Sequence, residues 1–150
     1  GVYSPALVSG SMHGPVPPLD VVYYGHSDSV LYLRLDLNRV FLQSHPEFEI
    51  RLALEGAERL RLQAHVRHAE LRATELWKDD AAVARESLGD SFEIALGSIL
   101  ELRADYSLLG VNSNEYLRLQ VAVWENAIPI QVLPQDGWLS VRLQTESINW

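Results

Sequence analysis

The sequence predicts an all-β chain, an immunoglobulin-like or jelly-roll-like β-sandwich of roughly nine antiparallel strands. Three observations carry that prediction. The stretch Val30–Leu37, VLYLRLDL, sets Leu31, Leu33, Leu35 and Leu37 on one side and Val30, Tyr32, Arg34 and Asp36 on the other. Such strict alternation is what a strand with one buried and one wet face requires. Nearly every later apolar segment repeats it, and the segments are short and separated by turn-forming residues.

Taken in order, residues 1–18 hold four prolines and three glycines with no periodicity and read as a linker or leader, with an edge strand expected near residues 6–8. A chain that begins without an initiating Met is expected to be a piece of something longer. Residues 19–24 form the first strand, and the turn-rich Gly25-His26-Ser27-Asp28-Ser29 leads into Val30–Leu37 as a hairpin. Residues 47–54 place Phe48, Ile50, Leu52 and Leu54 inward and Glu47, Glu49 and Arg51 outward. Residues 59–66 place Leu60, Leu62, Ala64 and Val66 on one face. After Arg67-His68 the apolar parity switches to Ala69, Leu71 and Ala73, so 59–66 and 69–77 are expected to pair through a tight turn. A helix is the rival reading there, because Ala, Leu, Arg and Glu favour it, but period 2 fits the apolar positions better.

Residues 79–90 read as a polar loop with a helical turn, and Phe92, Ile94 and Leu96 as a strand. Residues 98–102 are expected to be a short helical turn and 103–115 a loop. Residues 116–124 form a clear strand with Leu117, Leu119, Val121 and Val123 inward, and 128–133 and 138–143 flank a turn at Pro134-Gln135-Asp136-Gly137. Residues 19–150 thus form a single sandwich domain, a size that buries roughly two-thirds of the unfolded surface.

Composition narrows the partners. The formal charge of -8 argues against nucleic acid, whose binders need a basic patch to release counterions. It suits a neutral ligand or another protein. No apolar run approaches the ~20 residues that span a bilayer, so no membrane partner is expected. With no cysteine, disulfides and thiolate metal sites are excluded, and a cytoplasmic location is expected.

Three segments together resemble the C-terminal β-sandwich domain of glycoside hydrolase family 57, the α-amylase and glucanotransferase-like enzymes. They are Gly10-Ser11-Met12-His13 followed by VVYYGHSDSVLYLRLDL; FEIALGSILEL; and LRLQVAVWENAIPIQVLPQDGWLSVRL, with the end near Asn149-Trp150. The second and third are also similar to family 9 carbohydrate-binding modules. The resemblance covers most of the chain outside residues 57–85. It implies a non-catalytic accessory domain, with the catalytic carboxylates in an upstream barrel of the same polypeptide. That upstream domain, and an α-glucan, are the partners implied. The alternatives are an independent carbohydrate-binding module, or a structural protein-interaction sandwich without ligand.

Within the chain, no residue pattern points to catalysis. There is no Gly-rich phosphate loop, no G-x-S-x-G elbow and no cysteine nucleophile. Glu47 and Glu49 share a face as a retaining glycosidase would need, but nearby Arg34, Asp36 and Arg51 point to cross-strand ion pairs instead. His65 and His68 lack the third ligand that zinc requires, and no metal site is expected from them. Asp79, Asp80, Asp90 and the 112–114 loop offer oxygens for a structural calcium, in no recognised loop motif.

The aromatic rings are the strongest candidates for ligand contact, since sugar faces present C–H groups that stack on exposed rings. Trp124 follows the outward parity of Arg118 and Gln120; Tyr32 and Tyr24 are read as outward too, and Trp138 fits either side. Trp77 follows the inward set of Ala69, Leu71 and Ala73 and reads as core. A binding module should carry two or more exposed rings on a concave outer sheet face; an accessory domain should expose a flat apolar patch instead.

Overall fold

Two antiparallel sheets face each other across a leucine-rich interior in the computed structural model, which describes residues 1–5, 16–111 and 115–143. The expected edge strand at residues 6–8, the Met12-His13 pair, the 112–114 loop and the Asn149-Trp150 end lie outside the described residues. The first half of the chain forms β1 (Val2–Tyr3), β2 (Leu19–His26), β3 (Val30–Leu37), α1 (Arg39–Ser44), β4 (Glu47–Glu55), β5 (Arg59–Arg67) and β6 (Glu70–Lys78). The second half forms β7 (Ala81–Val83), β8 (Phe92–Leu96), β9 (Ile99–Asp105), α2 (Tyr106–Leu109), β10 (Tyr116–Glu125), β11 (Ile128–Leu133) and β12 (Leu139–Arg142). A five-stranded sheet has the order β1-β2-β3-β9-β8. A seven-stranded sheet runs β11-β10-β4-β5-β6-β7, with β12 also paired to β10.

The sandwich is as expected, with twelve strands among the described residues where roughly nine were read. The added strands are β1, β7 and β9. β1 pairs with β2 through Val2↔Tyr23, so the first residues of the expected leader belong to the sheet. β9 overturns the helical turn expected at 98–102: Leu100, Leu102 and Ala104 alternate inward with Glu101 and Arg103 outward. The strand lies between β3 and β8, where a helix would leave both neighbours' backbone groups unpaired.

The remainder of the 103–115 loop begins with α2, whose Tyr106 is buried and donates its hydroxyl to the Ser27 carbonyl at 2.6 Å. Burial, and then the nearby Asp28 carboxylate, push that phenol's pKa up. α1 was also unread. Its N-cap is Asn38, whose side chain accepts from the backbone N–H groups of Val40 and Phe41, and it buries Phe41.

The core is the union of the two inner faces. Leu31, Leu33, Leu35, Leu100, Leu102 and Ala104 of one sheet meet Ile50, Leu52, Leu54, Leu62, Leu117, Leu119 and Val121 of the other. Among the described residues no polar or charged side chain is buried there. The charged side chains therefore lie on the outer faces, strand ends and turns, while the Tyr106 hydroxyl, His26 Nδ1 and Thr74 Oγ1 are polar atoms on the inner side.

Two bulges decide what those faces show. In β2, Leu19 pairs with Leu37 and Val21 with Asp36, so Asp20 is an extra residue that resets the alternation. In β6, Leu71 pairs with Val66 and Ala73 with His65, so Arg72 is extra. Each extra residue turns the rest of its strand over. Tight turns fix the remaining register. β5–β6, β6–β7 and β10–β11 are joined by His68-Ala69, Asp79-Asp80 and Asn126-Ala127, all with positive φ. Two successive left-handed residues give the twist that matches a two-residue hairpin.

Candidate functional site

On the outer face of the five-stranded sheet, the pairing registers set side chains in two rows. Gly25, Tyr32, Arg103 and Glu93 form one row across β2, β3, β9 and β8. Val2, Tyr23, Arg34, Glu101 and Ala95 form the next. Gly25 has no side chain, and a Cβ built there would meet nothing within 4 Å. Space opens over it beside the rings, and a groove of about 900 Å³ runs across the rows, with Arg85 from the turn before β8 also lining it. A groove of this size is in the range of small-molecule sites.

The chemistry of the groove is aromatic with mixed charge. Tyr32 is 46% exposed and offers a ring at the floor. The Arg34 guanidinium lies 5.0 Å from the Tyr23 ring centroid and is held by Asp36 at 2.7 and 3.2 Å. The hydrogen bond to Asp36 raises the Arg34 pKa, which keeps the cation fixed in charge and place. Arg103 is less satisfied: its ion-pair distances are 4.0 Å to Glu93 and 3.8 Å to Asp105, and its Nε is buried without a hydrogen-bond partner. Arg85 makes no ion pair among the described residues. Three arginines and two glutamates around tyrosine rings nearly balance in charge. They provide planar donors and acceptors suited to vicinal hydroxyls, with rings suited to C–H faces.

The outer face of the seven-stranded sheet differs. Its side chains are paired along and between strands: Arg51 with Glu49 at 3.0 Å, His65 with Glu47 at 2.9 Å, Arg61 with Asp80 at 3.0 Å, and Arg118 with Glu55. Glu47 and Glu49, weighed against a catalytic role, thus serve as ion-pair partners. The cross-strand pairs expected of Arg34, Asp36 and Arg51 are corrected: Arg34–Asp36 and Arg51–Glu49 run along single strands, and Glu47 pairs across strands with His65 instead. Three indoles lie on or beside this face under guanidinium groups. Arg51 sits 3.9 Å from the Trp124 ring centroid, Arg61 5.6 Å from Trp77 and Arg118 5.3 Å from Trp138.

The sequence-read ring set is therefore divided between opposite sides of the molecule. Trp124 and Tyr32 are outward as expected, but on different sheets. Trp138, partly exposed, joins the Trp124 side. Tyr24 is corrected in parity: it pairs with buried Leu33 and packs on the core, while Tyr23 takes the outward place, because Asp20 resets the count, but Tyr24 still lines the groove. Trp77 is corrected in the other direction. It pairs with outward Arg61 while Leu76 is buried, because Arg72 turns β6 over.

For metals, among the described residues no group of three or more His, Cys, Asp or Glu could hold an ion. Two of the calcium candidates have other partners: Asp79 accepts from the Arg59 N–H at 2.9 Å, and Asp80 holds Arg61.

Compared with family models, curated proteins and solved structures, the chain matches none of them.

Proposed function

We propose that this chain is a non-catalytic carbohydrate-binding β-sandwich, accessory to an α-glucan-active glycoside hydrolase of the family 57 kind. In this reading the groove over the five-stranded sheet holds a glucan chain. One observation carries it: a groove of about 900 Å³ in which Tyr32 and Tyr23 lie beside the underused donors of Arg103 and Arg85. The ligand class comes from the resemblance of the three segments, and the chemistry of the groove suits it. Sugar rings would rest on Tyr32, and their hydroxyls would accept from the terminal N–H groups of Arg103, whose carboxylate contacts are long at 3.8 and 4.0 Å.

The test is calorimetric titration of the chain with maltoheptaose, an α-linked glucan oligomer, beside migration in gels containing glycogen. Saturable binding and retardation support the reading, and their absence in both removes it.

A second reading, docking on a catalytic domain, draws on a different observation. Edge strand β11 exposes Ile128 at 61% and Ile130 at 41%, an apolar margin of the kind protein partners cover. Pro129 between them lacks the N–H needed to pair with a further strand, which protects the edge from self-association.

A further inference from the structure

The Trp77 correction leaves a second feature without a role. The outer face of the seven-stranded sheet carries a depression of about 300 Å³, and both Trp77 and Trp124 line it. Register gives its plan. Trp124 lies in a row with Glu49, His65 and Ala73. Trp77 lies in a row with Arg61, Ala53 and Gln120. Between them runs Ala122, Arg51, Gln63 and Glu75. The two indoles are therefore three strands apart and four residues apart along the strands. At strand spacing and rise that is roughly 14 Å in each direction.

The side chains between suit a ligand that crosses from one ring to the other. Ala53 and Ala122 are small and leave the floor low. The Gln63 amide makes no hydrogen bond among the described residues, so its donor and acceptor are available. Arg51, fixed by donating two hydrogen bonds to the Glu49 carboxylate, holds the Trp124 ring in place and keeps further N–H groups at the depression's margin. The core lies on the other side of the sheet; each ring carries a guanidinium against one face and remains partly exposed to the depression. A ring at each end and amides between them match an extended, uncharged polyhydroxyl chain. A compact anion would find the nearby guanidinium groups of Arg51 and Arg61 already paired with carboxylates.

We propose that the domain is bivalent for α-glucan, with a second site between Trp77 and Trp124 on the face opposite the Tyr32 groove. The ligand class rests on the proposed function; the site itself rests on the indole pair and its floor. Two sites on opposite faces cannot grip one short oligomer together. They would join separate chains or distant parts of one branched polymer, and multivalency would strengthen attachment to the polymer far more than to the oligomer.

The experiment is titration of the chain with maltoheptaose, read as stoichiometry, beside glycogen precipitation. The expected result is two oligomers per chain and precipitation of glycogen. The double variant Trp77→Ala and Trp124→Ala should bind one oligomer and no longer precipitate glycogen; Tyr32→Ala should also bind one. Because two indoles are removed, Ala122→Arg serves as a second variant that fills the depression and leaves the rings, and it should give the same loss. One oligomer per chain, lost with Tyr32→Ala and unaffected by the tryptophan and Ala122 variants, would overturn bivalency and leave the proposed function standing. No binding at any concentration would overturn both.

Discussion

The two outer faces of this sandwich share one core and are built on different terms. On the seven-stranded face each indole has a guanidinium over it, and Arg51 and Arg61 are in turn held by carboxylates. On the five-stranded face Gly25 leaves a gap, Arg103 stands at 3.8 Å and 4.0 Å from its carboxylates, and Arg85 has no ion pair among the described residues. Exposed ion pairs contribute little stability, so the first face is ordered more than it is strengthened. The looser face keeps unused hydrogen-bonding capacity, which is what a ligand can exploit. The contrast teaches that the two faces offer a ligand different things: unused guanidinium donors on the five-stranded face, and cation-braced rings with an available Gln63 amide on the seven-stranded one.

The largest effect expected is one that removes the contrast altogether. Leu35→Ala in the shared core should cost about 2–5 kcal/mol, measured by urea unfolding, and should impair both faces together. Filling the groove separates stability from binding. For Gly25→Val, a Cβ at this position meets no atom within 4 Å, so the fold should survive and gain up to about 1 kcal/mol, because glycine is poor in a strand interior. The same variant should weaken maltoheptaose binding at the Tyr32 groove by more than about tenfold. Tyr32→Ala should weaken it by at least about tenfold, roughly 1.4 kcal/mol or more, enough to take that site out of the titration, while unfolding changes by no more than about 0.5 kcal/mol.

The smallest effect lies in the hairpins of the seven-stranded sheet. Ala69 and Ala127 hold φ of 59° and 61°, a region that disfavours residues with a Cβ. Ala69→Gly or Ala127→Gly should raise unfolding free energy by up to about 1 kcal/mol and leave the Tyr32 groove's affinity unchanged.

The fold was legible wherever alternation ran unbroken. Val30–Leu37, Phe92–Leu96 and Ile128–Leu133 have the bounds that the pattern gives. It failed where one residue interrupts the count. Asp20 and Arg72 are single insertions into β2 and β6, and nothing in their side chains announces a bulge. Tyr24 and Trp77 were assigned to the wrong sides for that reason alone. The helical turn expected at 98–102 fails because Gly97-Ser98 is the turn between β8 and β9, after which Leu100, Leu102 and Ala104 resume period 2. Asn38 did carry a usable sign, a capping residue directly before the helical RVFLQS. Of the candidate site, single rings were legible and their grouping was not. Which strands lie side by side decides whether Tyr23 joins Tyr32 or Trp77 joins Trp124, and that is a property of topology.

The central claim, that the five-stranded face holds glucan, is tested most directly by following backbone amide resonances during titration with maltoheptaose. The account predicts saturable shifts at Gly25, Tyr32, Arg103 and Glu93, all on the row that crosses the groove. Shifts absent from that row at saturating oligomer, with or without changes elsewhere, would contradict it.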